Sequence, residues 1–309
     1  MDLSDQHILV TGGAGFVGSH LVDRLLADGA AVTVVDNCSN GSRDRVSEDA
    51  RFVEADLTEP ASLDGVLDDV DRVFHLAASK LVNTDRPHGQ FEDNTRMTLN
   101  LLEAMADAGV TEIAYTSSST VYGEAPRPTP EDYAPLEPIS AYGASKLADE
   151  GLLSARAHSH DLTVWTFRFA NVVGPGLRGA VIPDFIEKLT ENPETLTILG
   201  NGRQEKSYLH IDDCVDAMLH IVDNAPGAVN TYNLGTRTTT SVDRIAAIVA
   251  DEMGLDPAYE YTGGDRGWTG DVPKMRLSIE KLSALGWEPE LSSDRAVRRS
   301  TRELIDELC

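Results

Sequence analysis

The chain has 309 residues, enough to bury a large core as one domain or two closely joined ones. Its 51 acidic and 26 basic side chains leave a formal net charge of −25, which argues against nucleic acid and anionic membranes as partners. Acids on nearly every polar face, with arginine far in excess of lysine, fit adaptation to high salt; an ordinary acidic cytoplasmic enzyme is the alternative. No apolar run is long enough to span a membrane, and Met1–Asp5 lacks the basic and apolar regions of a signal peptide, so a cytoplasmic location is expected. Three scattered cysteines, Cys38, Cys214 and Cys309, suggest a reducing compartment, no disulfide frame and no metal site.

The chain opens with a short apolar strand over 7–10. The glycine-rich run Thr11-Gly-Gly-Ala-Gly-Phe-Val-Gly-Ser-His20 follows, and a helix from Phe16 to Ala27 stops at Gly29. Gly12, Gly15 and Gly18 therefore sit where a strand turns into a helix. Glycine there allows a tight turn and close approach of backbone to a ligand, and the helix N-terminus offers unpaired N–H groups to a pyrophosphate. A second strand, 31–35, ends at Asp36. An acid at that position can bond both ribose hydroxyls of an adenosine and repels a 2′-phosphate. Further strands are expected over 51–55, within 71–78 and over 112–117, with helices over 61–70 and 93–108. Repeated β-α-β units imply a doubly wound α/β fold: a Rossmann-like parallel sheet with ligands at the strands' carboxyl ends.

Residues 125–138 are rich in proline and read as a loop beside a site. A long helix is expected over 142–158 and a strand over 163–169. Beyond Asn171 the pattern loosens, interrupted by glycines at 174–179, 200–202 and 263–264, as in a smaller substrate-binding domain. Residues 215–221 and 228–234 again look like helix and core strand. The expected division is a cofactor domain over 1–171, rejoined by 213–235, with 172–212 and 236–309 forming the second domain.

Chemistry concentrates in two places. The serine-rich end of a strand, Ser117 to Gly123, is followed by Tyr142-Gly-Ala-Ser-Lys146. Tyr142 and Lys146 are four apart and share one helix face. An ammonium beside a phenol should stabilise the phenolate and lower its pKa, so that the phenol can take a proton from a sugar hydroxyl and return it. Other polar residues have plainer readings. His75, in an apolar strand, is expected to be a satisfied core residue. Asn94 either caps its helix or serves near the cofactor. Arg168 is either a structural charge or part of the site. The acids of 68–71 read as a solvated face.

These motifs, with Val35-Asp-Asn37, Asp56-Leu57, His75-Leu-Ala-Ala78 and Arg168-Phe-Ala-Asn171, resemble those of the extended short-chain dehydrogenase/reductase superfamily over nearly the whole chain. Within it the chain looks most like the UDP-glucose 4-epimerases, particularly a short archaeal type. Asp36 to Gly41, Gly200 to Gln204, Tyr208 to Asp212 and Arg266-Gly-Trp-Thr-Gly-Asp271 carry that narrower match.

The resemblance implies NAD as cofactor. Gly12, Gly15, Phe16, Val17 and Gly18 would hold its pyrophosphate, and Asp36, with Asn37 and Asn40 nearby, its adenosine ribose. Asp56 and Leu57 would flank the adenine. Ala77, Ala78, Asn94 and Phe169 would line the dinucleotide's path. Ser118 would be the catalytic hydroxyl and Tyr142 the base, while Lys146 would bind the nicotinamide ribose and tune Tyr142. Ser118, Ser119, Asn171, Lys206 and Arg266 would face the nucleotide sugar, Asn171 and Arg266 at its diphosphate. Met275 would pack where the family controls room for an N-acetyl group. A homodimer through the two long helices is implied as well.

Among the reactions this superfamily supports, 4,6-dehydratases carry Asp and Glu directly after the catalytic hydroxyl, and UDP-glucuronate decarboxylases usually carry the Glu. Here Ser119 and Thr120 stand in those places and cannot do that acid/base work near neutral pH. The expectation is therefore a 4-epimerase, first of UDP-glucose and UDP-galactose, with UDP-glucuronate or UDP-N-acetylhexosamine as other substrates. An NAD(H)-dependent reductase or dehydratase-like enzyme on the same fold, or a non-catalytic NAD sensor, are the competing readings. Lys206 replaces an arginine common in epimerases and lacks its bidentate fork.

Overall fold

The structure is a computed structural model that describes residues 3–80, 86, 88–267 and 272–309. In chain order the first half gives β1 (His7–Thr11), α1 (Phe16–Ala27), β2 (Ala31–Asp36), β3 (Arg51–Glu54), β4 (Arg72–His75), α2 (Gly89–Ala108), β5 (Glu112–Ser118), α3 (Ala141–Ser159) and β6 (Thr163–Phe169). The second half gives β7 (Asn171–Val173), α4 (Val181–Glu191), β8 (Thr195–Ile198), β9 (Glu205–Lys206), β10 (Tyr208–His210), α5 (Ile211–Asn224), β11 (Val229–Leu234), β12 (Thr240–Ser241), α6 (Val242–Met253), β13 (Ala258–Tyr261), β14 (Lys274–Met275), α7 (Glu280–Ala284) and α8 (Ser293–Leu308).

Seven strands form one sheet in the order β11-β6-β5-β4-β1-β2-β3, and the pairs from β3 through β5 are parallel. These strands are near-continuous apolar runs because a parallel sheet is covered on both faces. The chain leaves β1 for β2 and β3 on one side, then returns to β4, β5 and β6 on the other. Order reverses between β1 and β4, where Thr11 pairs with His75 at the strand ends. Ligands of doubly wound sheets bind at such a switch point. On one face Leu9, Val35, Val73 and Ile113 pack with Leu101 and Met105 of α2 and Leu153 of α3. Helix α2 ends where Gly109 takes a left-handed φ of 75°, a conformation that favours glycine.

Two compact units emerge. The first comprises Met1–Val121, Ser140–Arg168 and Met218–Tyr232; the second comprises Tyr122–Ile139, Phe169–Ala217 and Asn233–Cys309. Unlike the expected bounds, Tyr122–Ile139 and residues 169–171, 213–217 and 233–235 go with the second unit. That unit carries the pair β7–β10, the three-stranded β12-β9-β14 and the pair β8–β13. Its core joins Ile182, Phe185 and Ile186 of α4 to Ile245 and Val249 of α6 and Val297 and Leu304 of α8.

Three expectations are corrected. The helix over 61–70 is only a 3-10 turn at Pro60–Leu63. Gly65 and Asp69 take positive φ of 67° and 60°, which breaks a helix, while Leu63, Val66, Leu67 and Val70 are buried without one. The helix expected from 93 begins at Gly89, with Arg86 bridging to Glu92 and Asp93 across its first turn. The proline-rich segment is bound into the second unit. Thr129 bridges Leu277, and Asn233 accepts from the Tyr122 hydroxyl at 2.8 Å and donates to the Thr129 carbonyl at 3.0 Å.

Candidate active site

At the mouth of β1, the Gly12 N–H donates to the Val35 carbonyl and Gly12 takes φ 70°. A Cβ at Gly12 would lie 2.6 Å from the Ala77 nitrogen, and one at Gly18 would lie 2.7 Å from the Gly13 Cα, so neither position has room for a side chain. Gly15 caps α1 without any side-chain bond, and no acid stands in the first turn, which begins with Phe16, Val17 and Gly18. The first-turn N–H groups and the positive end of the helix therefore stay available to an anion. This uncapped helix end, closed in by bare backbone, fits a dinucleotide pyrophosphate.

Asp36 ends β2 half-buried. It accepts from the Ala14 N–H at 2.9 Å and the Cys38 N–H at 2.8 Å, so it holds the glycine loop as well as facing a ribose position. A carboxylate has about four acceptor sites, so capacity remains for ribose hydroxyls. Asn37, exposed, donates to Asp56 at 3.3 Å, and Asn40 is exposed. Burial pushes the Asp56 carboxyl up, but the Thr58 N–H and hydroxyl and Asn37 together hold it below the ordinary range. The Leu57 side chain lies in the core, which leaves only its backbone for an adenine. Ala77 and Ala78 are half-buried after β4, and the Ala77 N–H donates to the Thr11 hydroxyl at 3.3 Å.

Asn94 caps nothing, because it lies inside α2 and is 2 % exposed. Its amide accepts from the Ser79 N–H at 2.7 Å and donates to Ser145 at 2.9 Å, tying the loop after β4 to α3. His75 is a satisfied core residue. Nδ1 meets the Thr11 hydroxyl at 2.7 Å and Nε2 the Thr98 hydroxyl at 3.2 Å. Burial, then the nearby Lys146 charge, pulls its pKa down to about 3, so the ring is neutral at working pH.

The Ser140 side chain caps α3, accepting from the Gly143 N–H at 3.0 Å, and this fixes the first turn where Tyr142 stands. Lys146, one turn on, is buried and donates to the Thr116 carbonyl at 2.8 Å. Its Nζ lies 5.8 Å from the Tyr142 ring centroid and 4.6 Å from that of Tyr115. Burial pulls Lys146 down to about 8. The expected lowering of Tyr142 by Lys146 is not found. Burial and then the Asp149 charge push the phenol above its ordinary range, because desolvation of a phenolate outweighs a cation 5.8 Å from the ring centroid. Ser118 closes β5 half-buried and accepts from the Thr120 N–H at 3.2 Å; Ser119 is buried beside it.

In the second unit Phe169 and Asn171 are half-buried, and Asn171 aligns with Tyr208 across β7–β10. Lys206 on β9 aligns with Met275, which is buried, as expected. Arg266 is ion-paired with Glu124, an acid that sequence reading passed over. Trp268 to Asp271 of the same motif lie outside the described residues.

Also missed is a buried cluster behind β5. Arg168 forms a 2.6 Å ion pair with Glu150, which also accepts from Ser117. Asp149 accepts from the Tyr115 hydroxyl at 2.7 Å. Only the spacing of Glu150 and Asp149 after Lys146 on one helix could have hinted at it. Removing one member of a buried ion pair such as Arg168–Glu150 costs about 3–5 kcal/mol.

Comparison with known proteins agrees with this geometry. A family model described as the NAD dependent epimerase/dehydratase family matches residues 8–235. The UDP-glucose 4-epimerase of Mycolicibacterium smegmatis is 34% identical over 308 residues, covering 94% of this chain and 96% of that protein. A crystal structure of a UDP-galactose 4-epimerase superposes with a TM-score of 0.90 at 40% identity, covering 98% of this chain and 100% of the other. The UDP-N-acetylglucosamine 4-epimerase of Methanobrevibacter ruminantium, in complex with UDP-N-acetylmuramic acid, superposes with a TM-score of 0.87 at 28% identity, covering 99% and 100%. The chain belongs to the NAD-dependent epimerase/dehydratase family. Within that family it stands with the nucleotide-sugar epimerases, and NAD is its cofactor.

Proposed function

We propose that this enzyme is a 4-epimerase of UDP-glucose and UDP-galactose, acting by transient oxidation at C4. The observation that carries this reading is the set Ser118, Tyr142 and Lys146 in the unit that bears the glycine loop, with Ser119 and Thr120 where a dehydratase needs acids. Bound NAD supplies the hydride acceptor and donor. Tyr142 takes the proton of the C4 hydroxyl and returns it to the same oxygen, and Ser118 hydrogen-bonds that oxygen. Lys146 holds the nicotinamide ribose and keeps a positive charge beside Tyr142. Gly12, Gly15, Phe16, Val17 and Gly18 hold the pyrophosphate, Asp36 the adenosine ribose. Asn171, Lys206 and Arg266 take the substrate's diphosphate end; for Arg266 this means exchanging Glu124 for a phosphate oxygen. Neither removing nor returning the proton needs an acid at 119 or 120. The relatives that act on UDP-glucose and UDP-galactose support the choice of sugar, while the N-acetylglucosamine epimerase keeps UDP-N-acetylhexosamine as the second reading.

The test is Tyr142→Phe. It should lower turnover with UDP-galactose by at least about a hundredfold, the size of one general acid–base contribution. A near wild-type rate would remove Tyr142 from the mechanism. Asp36→Ala should purify with less bound NAD than wild type, and unchanged NAD content would count against its ribose role.

The reading extends to the assembly and its medium. Helices α2 and α3 lie side by side, and α2 exposes Phe91 and Leu99. We read that pair of helices as the homodimer face, and the acidic surface as an adaptation to a salt-rich cytoplasm. Sedimentation showing only monomer at micromolar concentration in high salt would refute the dimer.

A further inference from the structure

Tyr142, Lys146 and Asp149 stand at i, i+4 and i+7 on α3 and so share one face. The third member has no part in the reaction as described. Asp149 is 1 % exposed. Its Oδ2 accepts from the Tyr115 hydroxyl at 2.7 Å and the Thr98 hydroxyl lends it further support, while its Oδ1 is buried without a well-formed hydrogen bond among the described residues. A buried carboxylate only half satisfied is costly to keep. Lys146 has the mirror-image problem: an ammonium 1 % exposed, with one carbonyl acceptor at 2.8 Å and its Nζ over the Tyr115 ring. Tyr115 thus joins the two, with its face under the cation and its hydroxyl on the carboxylate.

We propose that Asp149 is a positioning residue, the buried counter-charge that keeps a proton on Lys146 and restrains Tyr142 from giving up its own. This rests on the catalytic reading of Tyr142 and Lys146. The other groups facing Lys146 do not fill the role. On α3, Glu150 is committed to Arg168 and Ser117 and supports the Lys146 charge less than Asp149 does. From β4, His75 is neutral. From β5, Tyr115 brings no charge, and Lys80 in the loop after β4 repels. Burial lowers Lys146, and Asp149 is the largest influence working against it. Burial raises Tyr142, and Asp149 raises it further. Asp149 is itself raised by burial, with Lys146 and then the Tyr115 and Thr98 hydroxyls working against that rise and the neighbouring Glu150 charge adding to it. One charge therefore pushes both members of the pair toward their protonated forms and moves their working window up in pH.

The experiment is a 15N NMR titration of the lysine Nζ groups in the full-length protein. The sequence has only six lysines, and Lys146 is assigned by the signal missing from Lys146→Arg. In Asp149→Asn the Lys146 midpoint should fall by about one pH unit or more. The limb of the kcat profile set by Lys146, near pH 8, should move to lower pH with that midpoint, a shift that a merely structural role does not produce. An unmoved midpoint in folded Asp149→Asn overturns the proposal. If that variant does not fold, the wild-type midpoint decides. A value near 8 or above supports a held charge, and one at or below about 6, as for an uncompensated buried lysine, overturns it. The titration reads Asp149 alone, whereas the catalytic reading falls separately, by full turnover in Tyr142→Phe.

Discussion

Tyr142 and Lys146 lie one helical turn apart, and burial moves them in opposite directions: phenol up, ammonium down. The reaction needs the Tyr142 phenolate and the Lys146 ammonium together, so kcat/KM should rise with pH up to about 8 and then level off, as each further gain of phenolate is offset by loss of the ammonium; a profile flat between about pH 6 and 8 would contradict it. His75 makes a second pH prediction. Its folded pKa, about 3, lies below the ordinary 6.5, so the unfolded chain binds the extra proton between those values. Stability contributed by neutral His75 is whole above about 6.5 and drains away as pH falls toward 3. His75→Gln should be less stable at neutral pH yet lose less on acidification, as measured by urea midpoints from pH 7 to 4. Tyr142, Lys146 and Asp36 were legible in the sequence because their signals are local: a four-residue spacing and the end of a strand. Asp149 and Glu150 were not, because their partners Tyr115 and Ser117 lie 34 and 33 residues away and meet them only when α3 packs on β5.

At the scale of elements, the turn from β1 into α1 is the most constrained. Gly18→Ala would press a methyl against the backbone of Gly12 and Gly13, an overpacking cost of about 1–3 kcal/mol. The expected result is loss of retained NAD with a lowered Tm, read from absorbance of the purified protein and a thermal melt. Full NAD content in that variant would mean the turn tolerates a side chain. Strands and long helices were legible here because their periodicity is sustained, as in α1 and α3. The segment 61–70 misled because its apolar spacing is that of a helix, while Gly65 and Asp69 fold it into turns that bury the same side chains. Tyr122–Ile139 misled for another reason. Its proline content marks irregular backbone but does not say that Thr129 will bridge Leu277, far along the chain.

Across the whole molecule, two units are each assembled from three stretches of chain, one stretch more apiece than in the expected division, where 213–235 alone returns to the cofactor domain. The predicted cofactor residues other than Phe169, together with Ser118, Tyr142 and Lys146, fall in the first unit; Phe169, Asn171, Lys206 and Arg266 fall in the second. A net charge of −25 makes self-repulsion a general tax on the fold. Raising salt from about 0.15 to 1 M shortens the screening length from about 8 to 3 Å, so Tm should climb across that range and beyond. A Tm that falls or stays level would argue against salt adaptation. The central claim is that the residues of the glycine loop and Asp36 would keep the cofactor through each turnover, so that epimerisation consumes none. Purified protein given UDP-galactose without added cofactor should produce UDP-glucose over many turnovers by proton NMR. Product limited to one equivalent of enzyme, or formed only when NADH is supplied and consumed, would contradict it.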